Sequence, residues 1–238
     1  MIRRCFAPTF LLLFLIHCQS PFDAVLQTTE ILGIYPYHAI LPKDYDASKT
    51  YPLILFLHGS GCGSDNVDVY KLYGMGIYAD QNEDFPFIVI APQSYDQWYS
   101  QPLDSVLKDA VGKYSVNTER IYCTGFSMGG AETYRLAFDY PHWFAAIAPI
   151  AAYGNPDAAY QFAHIPTWIF HNKGDPSVDY LHALEMYYAL EANGCDVKLT
   201  TYYSFEHSGW YQAYTNPEIY DWFLTHERDP KQSKAFSE

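Results

Sequence analysis

Basic residues are scarce in this chain of 238 residues: 14 Lys and Arg stand against 27 Asp and Glu, a net charge of −13. Phosphate backbones are held by clustered cations, so this balance argues against nucleic acid as a partner and disfavours polyanionic substrates. Cysteine is sparse too, with five residues, no C-x-x-C pair and no metal-ligand spacing. H-E-x-x-H is absent and no paired-carboxylate site stands out, so neither a metal nor another cofactor is expected. There is no low-complexity run, no internal repeat and no Pro/Gly-rich linker to divide the chain. What remains is globular in composition, 49% hydrophobic and 17% charged. A chain of this length suits one domain, burying roughly 70–75% of its unfolded surface without disulfide or metal staples.

The first 18 residues read as a targeting segment. Arg3 and Arg4 supply a positive start, and Phe10-Leu-Leu-Leu-Phe-Leu-Ile16 is an apolar run too short to span a bilayer. Export is therefore expected. Leu15-Ile16-His17-Cys18 approximates a lipoprotein box in which Cys18 becomes the lipidated first residue, but His17 stands where a small residue is preferred. Ordinary cleavage after Ser20 meets Pro21, so lipid anchoring and simple secretion both stay open, and any membrane association would run through Cys18 alone. A domain over 25–228 and a polar tail over 229–238 complete the division. Cys123 reads as a small buried hydrophobe, while a disulfide between Cys62 and Cys195 is left open.

The centre of the chain is Gly125-Phe126-Ser127-Met128-Gly129, a G-x-S-x-G pattern between a strand (Arg120–Thr124) and a helix (Ala131–Phe138). A serine projected from so sharp a turn needs neighbours without a Cβ, which Gly125 and Gly129 provide. Around it, apolar runs alternate with helical periodicity. Strands are expected within 31–41 and at 53–57, 87–90, 145–150, 167–170 and 197–202; helices at 103–114, at 177–193 with Leu181, Leu184 and Tyr188 inward, and at 216–226. Such alternation implies a mostly parallel, twisted sheet with helices on both faces, and loops at the strands' C-terminal ends carrying the function. About fifteen residues separate the strands at 145–150 and 167–170, too few for a substantial lid.

A serine hydroxyl needs a base within reach and a third group to orient that base. Asp175 lies in the loop after the strand at 167–170, and His207 in the loop after the last strand, which places Ser127, Asp175 and His207 in the chain order this arrangement requires. Asp157, Asp179 and Glu206 compete for the acid's role; Asp179 reads as helical, and Glu206 adjoins the histidine. Oxyanion donors would be the backbone N–H of Met128 and, from His58-Gly59-Ser60-Gly61, that of Ser60, with Gly59 next. His58 reads as a structural support for that loop. Tyr95, Trp98, Tyr99, Tyr153, Trp210 and Tyr211 fall in loops at the active face, and Trp98 and Trp210 are the chief candidates for contacting substrate.

Together, His-Gly-Ser-Gly at 58–61, Arg-Ile-Tyr-Cys-Thr-Gly-Phe-Ser-Met-Gly-Gly at 120–130, Ala-Ile-Ala-Pro-Ile at 146–150, Gly174-Asp175 with Val178, and Glu-His-Ser-Gly-Trp at 206–210 resemble the exported polyhydroxybutyrate depolymerase and feruloyl-esterase-like branch of the α/β-hydrolases. That branch includes proteins labelled "predicted peptidase" or dienelactone-hydrolase-like. The likeness covers about residues 31–226. It implies an α/β-hydrolase fold and hydrolysis of carboxylic esters through an acyl-enzyme, without cofactor. His171-Asn172 departs from the His-Gly of many members. A small-molecule or polysaccharide-linked ester is the expected substrate; a serine peptidase or a non-catalytic binding protein on the same fold is the alternative.

Overall fold

The computed structural model describes residues 25–27, 33–62 and 75–229. The targeting segment, Cys18 and all of the tail beyond Asp229 lie outside the described residues. Among the described residues, eight strands form one sheet: β1 (Val25–Gln27), β2 (Tyr37–Ile40), β3 (Tyr51–Leu57), β4 (Ile88–Pro92), β5 (Val116–Phe126), β6 (Ala146–Ile150), β7 (Thr167–Asn172) and β8 (Val197–Tyr202). Their spatial order is β1-β2-β4-β3-β5-β6-β7-β8. β1 and β2 pair antiparallel at one edge, and every pairing from β4 to β8 is parallel. The direction of crossover changes at β3, so the loops after β3 and β5 meet beside the middle of the sheet, the crevice where open parallel sheets bind ligands.

Both faces of the sheet are covered, and strand alternation shows how. Leu53, Leu55, Leu57, Ile121, Cys123 and Ile147 point to one side, under α2 (Ser100–Lys113), α3 (Met128–Asp139) and α4 (Tyr180–Ala192). Ile54, Phe56, Tyr122, Ala146 and Ala148 point to the other, under α1 (Met75–Gln81), α5 (Gly209–Thr215) and α6 (Glu218–Leu224). The central strands are buried on both faces, which is why their sequence reads as continuous apolar runs.

One expectation about the fold is corrected. The inward face of α4 is Ala183, Met186 and Leu190, while Leu181 and Tyr188 are exposed. Apolar residues surround most of this helix, so spacing alone offered more than one inward stripe. The closing helix expected at 216–226 is α6, capped by Pro217, and a further short helix, α5, precedes it. The Cys62–Cys195 pairing left open by the sequence is not made as a disulfide. The connection from β6 to β7 contains one short 3-10 turn, Pro156–Gln161.

Candidate active site

β5 ends at Phe126 and α3 begins at Met128, leaving Ser127 as the one residue between them. Its backbone takes φ 56° and ψ −115°, a conformation costing a non-glycine residue of order 1–3 kcal/mol. Backbone hydrogen bonds hold it there: Ser127 N–H donates to Ile150 O at 2.9 Å, and Ala131 N–H donates to Ser127 O at 2.9 Å. The glycines meet the expected need. A Cβ on Gly129 would stand 2.1 Å from Leu57 O, and one on Gly125 would stand 2.4 Å from the carbonyl of Gly129. The turn therefore packs backbone on backbone against the end of β3.

Asp175 follows the end of β7, and its carboxylate is fully buried. Oδ1 accepts hydrogen bonds from the N–H groups of Ser177 (2.8 Å) and Val178 (3.0 Å). Oδ2 lies 2.7 Å from His207 Nδ1. A carboxylate here only accepts, so Nδ1 carries the proton and Nε2 keeps its lone pair. The imidazole of His207 packs on the Phe126 ring, with centroids 4.6 Å apart, beside Ser127. Among the described residues Ser127 Oγ makes no hydrogen bond to His207; such contacts are often long without substrate and tighten in the complex.

The competing acids stand elsewhere. Asp179 caps α4 rather than lying within it, accepting from Leu181 N–H at 2.9 Å. Asp157 lies in the 3-10 turn, and Glu206 is exposed, accepting from Ser208 Oγ at 3.0 Å. His171, fully buried, sits 3.8 Å from Asp175 Oδ2, and its Nε2 lies 2.9 Å from Val178 O. Burial lowers its pKa, so it stays neutral and donates from Nε2 to that carbonyl.

Asn172 contributes a contact that sequence reading did not anticipate. Its side-chain amide is buried and Nδ2 donates to the carbonyl of Glu206, the residue before His207. The departure from His-Gly thus ties the acid loop to the histidine loop, a link visible only once both loops are placed. Loss of a buried hydrogen bond costs about 1–3 kcal/mol. Asn172→Gly is accordingly expected to lower kcat about tenfold with KM little changed, as steady-state kinetics would record.

On the other side of Ser127, Gly59 is buried so closely under Phe126 that a Cβ would meet that ring at 2.9 Å. His58 pins this loop: Nδ1 lies 2.9 Å from Gly59 O, and Nε2 accepts from Ser94 N–H at 3.2 Å. Burial lowers the His58 pKa, in keeping with a neutral, structural ring. Ser60 is exposed at the tip of the loop, and Met128 is half-buried at the start of α3. Trp210 is half-buried, with its ring 6.3 Å from that of Phe126 and 5.8 Å from that of Tyr211.

Trp98 stands differently from its expected place on the rim. It is only 3% exposed, donates from Nε1 to His58 O at 3.0 Å, and packs on the His58 ring at 4.7 Å. An indole so held supports the His58 loop, and it also lines a cleft. That cleft, about 460 Å³, is lined by Met128 and further residues of α3 together with Gln97, Trp98, Tyr153 and Asn155.

Glu132 also lines the cleft, 5% exposed and accepting from Ser100 Oγ at 2.8 Å. Burial pushes its pKa up to about 7. An acid whose folded pKa is raised favours folding fully only while protonated. The native state therefore loses stability as pH rises from about 4.5, the ordinary value, through about 7. Glu132→Gln removes this dependence and keeps the acceptor for Ser100. Thermal melts should show the variant more stable than the parent at pH 8 by roughly 3 kcal/mol, with the difference vanishing near pH 4.

No family model matches the chain. It is 28% identical over 126 residues to the probable feruloyl esterase C of Aspergillus niger, covering 48% of this chain and 45% of that protein. It is 32% identical over 84 residues to a bifunctional acetylxylan esterase/xylanase of Neocallimastix patriciarum, covering 35% of this chain and 12% of that protein. The chain thus spans less than half the length of these curated relatives. In three dimensions it superposes on the crystal structure of a thermostable esterase with a TM-score of 0.75 and 29% identity, covering 87% of this chain and 64% of that one. The strand order, the serine turn between β5 and α3, and these similarities lead to one conclusion: the chain has the α/β-hydrolase fold, and it is similar to esterases in both sequence and structure.

Proposed function

We propose that this protein hydrolyses carboxylic esters through an acyl-enzyme on Ser127, and that the acyl groups it removes are carried on polysaccharides. The observation that carries the reading is the 2.7 Å contact between His207 Nδ1 and the buried Asp175, beside a serine in a strained backbone conformation. In this account His207 Nε2 takes the proton of Ser127 Oγ as that oxygen attacks the ester carbonyl. The oxyanion is received by the N–H groups of Met128 and of Ser60, with Gly59 as the neighbouring donor. His207 then protonates the departing alcohol, and Asp175 stabilises the imidazolium without taking its proton. Water, deprotonated by the same imidazole, releases the acid and restores Ser127.

The polysaccharide reading is supported by similarity to proteins named as feruloyl and acetylxylan esterases, and by the aromatic side chains near His207. Export through the segment 1–18 is part of the same proposal, because polymeric substrates lie outside the cell. A panel of acetylated and feruloylated saccharides, short-chain p-nitrophenyl esters and a peptide p-nitroanilide tests it. Turnover is expected on the saccharide esters as well as the aryl esters. Activity confined to the short aryl esters would remove the polymer from the account, and preferential cleavage of the anilide would replace the esterase reading with a peptidase.

A further inference from the structure

The loop that carries His207 also carries the most exposed aromatic rings near the site. Phe205 is 88% exposed and Tyr203 84%, and Tyr211, on the other side of His207, is 52% exposed. These rings are anchored rather than loose. The backbone pairing of β7 and β8 continues beyond the strands through Lys173 N–H to Tyr202 O (2.8 Å) and Gly174 N–H to Ser204 O (3.0 Å). Phe205 lies across Gly174 so closely that a Cβ there would meet its ring at 2.5 Å. The Lys173 ammonium stands 5.7 Å from the Tyr203 ring centre. Tyr203, Phe205 and Tyr211 thus put three large, exposed rings within four residues of His207 in sequence, a grouping of apolar surface of the kind found at binding faces.

Which part of a substrate would meet it follows from proton transfer. The group that departs must lie where His207 can protonate it, so the alcohol leaves on the side of the histidine loop. The cleft that begins at Met128 is lined by α3 and by loop residues outside 203–211, so the two surfaces are built from different segments. We propose that Phe205 and Tyr211, flanking His207, form an aromatic platform for the saccharide ring that bears the ester. The inference rests on the esterase reading above. Neutral sugars suit such a surface: their C–H faces stack on aromatic rings and bring no negative charge to a chain of net charge −13.

The experiment compares selectivity, so that incomplete folding cancels. kcat/KM is measured for an acetylated xylo-oligosaccharide and for p-nitrophenyl acetate in the parent protein, Phe205→Ala, Tyr211→Ala and Phe205→Trp. The ratio of saccharide to aryl ester is expected to fall about tenfold in each alanine variant, through KM for the saccharide, and to be retained by Phe205→Trp. An unchanged ratio in Phe205→Ala, or a parent protein that hydrolyses the aryl ester but not the saccharide, overturns the platform while leaving the esterase reading intact. No hydrolysis of either ester by the parent overturns both.

Discussion

Ser127→Ala is expected to lower kcat for ester hydrolysis by about 10⁵–10⁶, with the fold unaltered. The magnitude follows from losing the nucleophile while leaving the oxyanion donors and binding surface in place. The fold should survive because the strain at φ 56° belongs to any residue with a Cβ, so alanine bears what serine bears. Its N–H bond to Ile150 O and the bond from Ala131 N–H to its carbonyl involve the backbone alone. Single-turnover assays and thermal melting of the same sample separate the two effects. A variant that retained a tenth of the activity would show that Ser127 is not the nucleophile.

Asp175→Asn should be nearly as costly, about 10⁴ in kcat, for a reason specific to this carboxylate's partners. Oδ1 is claimed by two N–H donors, those of Ser177 and Val178. An asparagine must therefore keep its oxygen there and turn its amide nitrogen toward His207. That nitrogen donates, which forces Nδ1 to accept and places the imidazole proton on Nε2. A histidine in that tautomer cannot take a proton from Ser127. KM should change little, since Asp175 is buried beneath the histidine. A loss of only a few fold would mean that another acid orients His207.

Much of this was legible because the relevant signals are local. The runs at 53–57 and 146–150 are apolar throughout because both sheet faces are covered, and the serine turn is written in glycines whose Cβ positions are filled by backbone. The order of Ser127, Asp175 and His207 could be read from where strands end. What could not be read depends on contacts between distant segments. Trp98 looked like any loop tryptophan until His58, forty residues earlier, took its indole proton as acceptor and drew the ring inward. The inward stripe of α4 was ambiguous because a helix apolar on most sides carries no direction of its own. Asn172 stood out as a departure from the related pattern, yet its partner is a backbone carbonyl, which leaves no trace in side-chain identity. Glu132 gave no sign either; its raised pKa comes from burial at the wall of a cleft that the sequence does not outline.

The central claim is that Ser127 is an activated nucleophile. Incubation of the protein with a fluorophosphonate, followed by mass spectrometry of its peptides, tests this directly. One covalent adduct is expected on the peptide containing Ser127, lost in Ser127→Ala and formed much more slowly in His207→Ala. No adduct, or equal labelling of the parent and Ser127→Ala, would contradict the account.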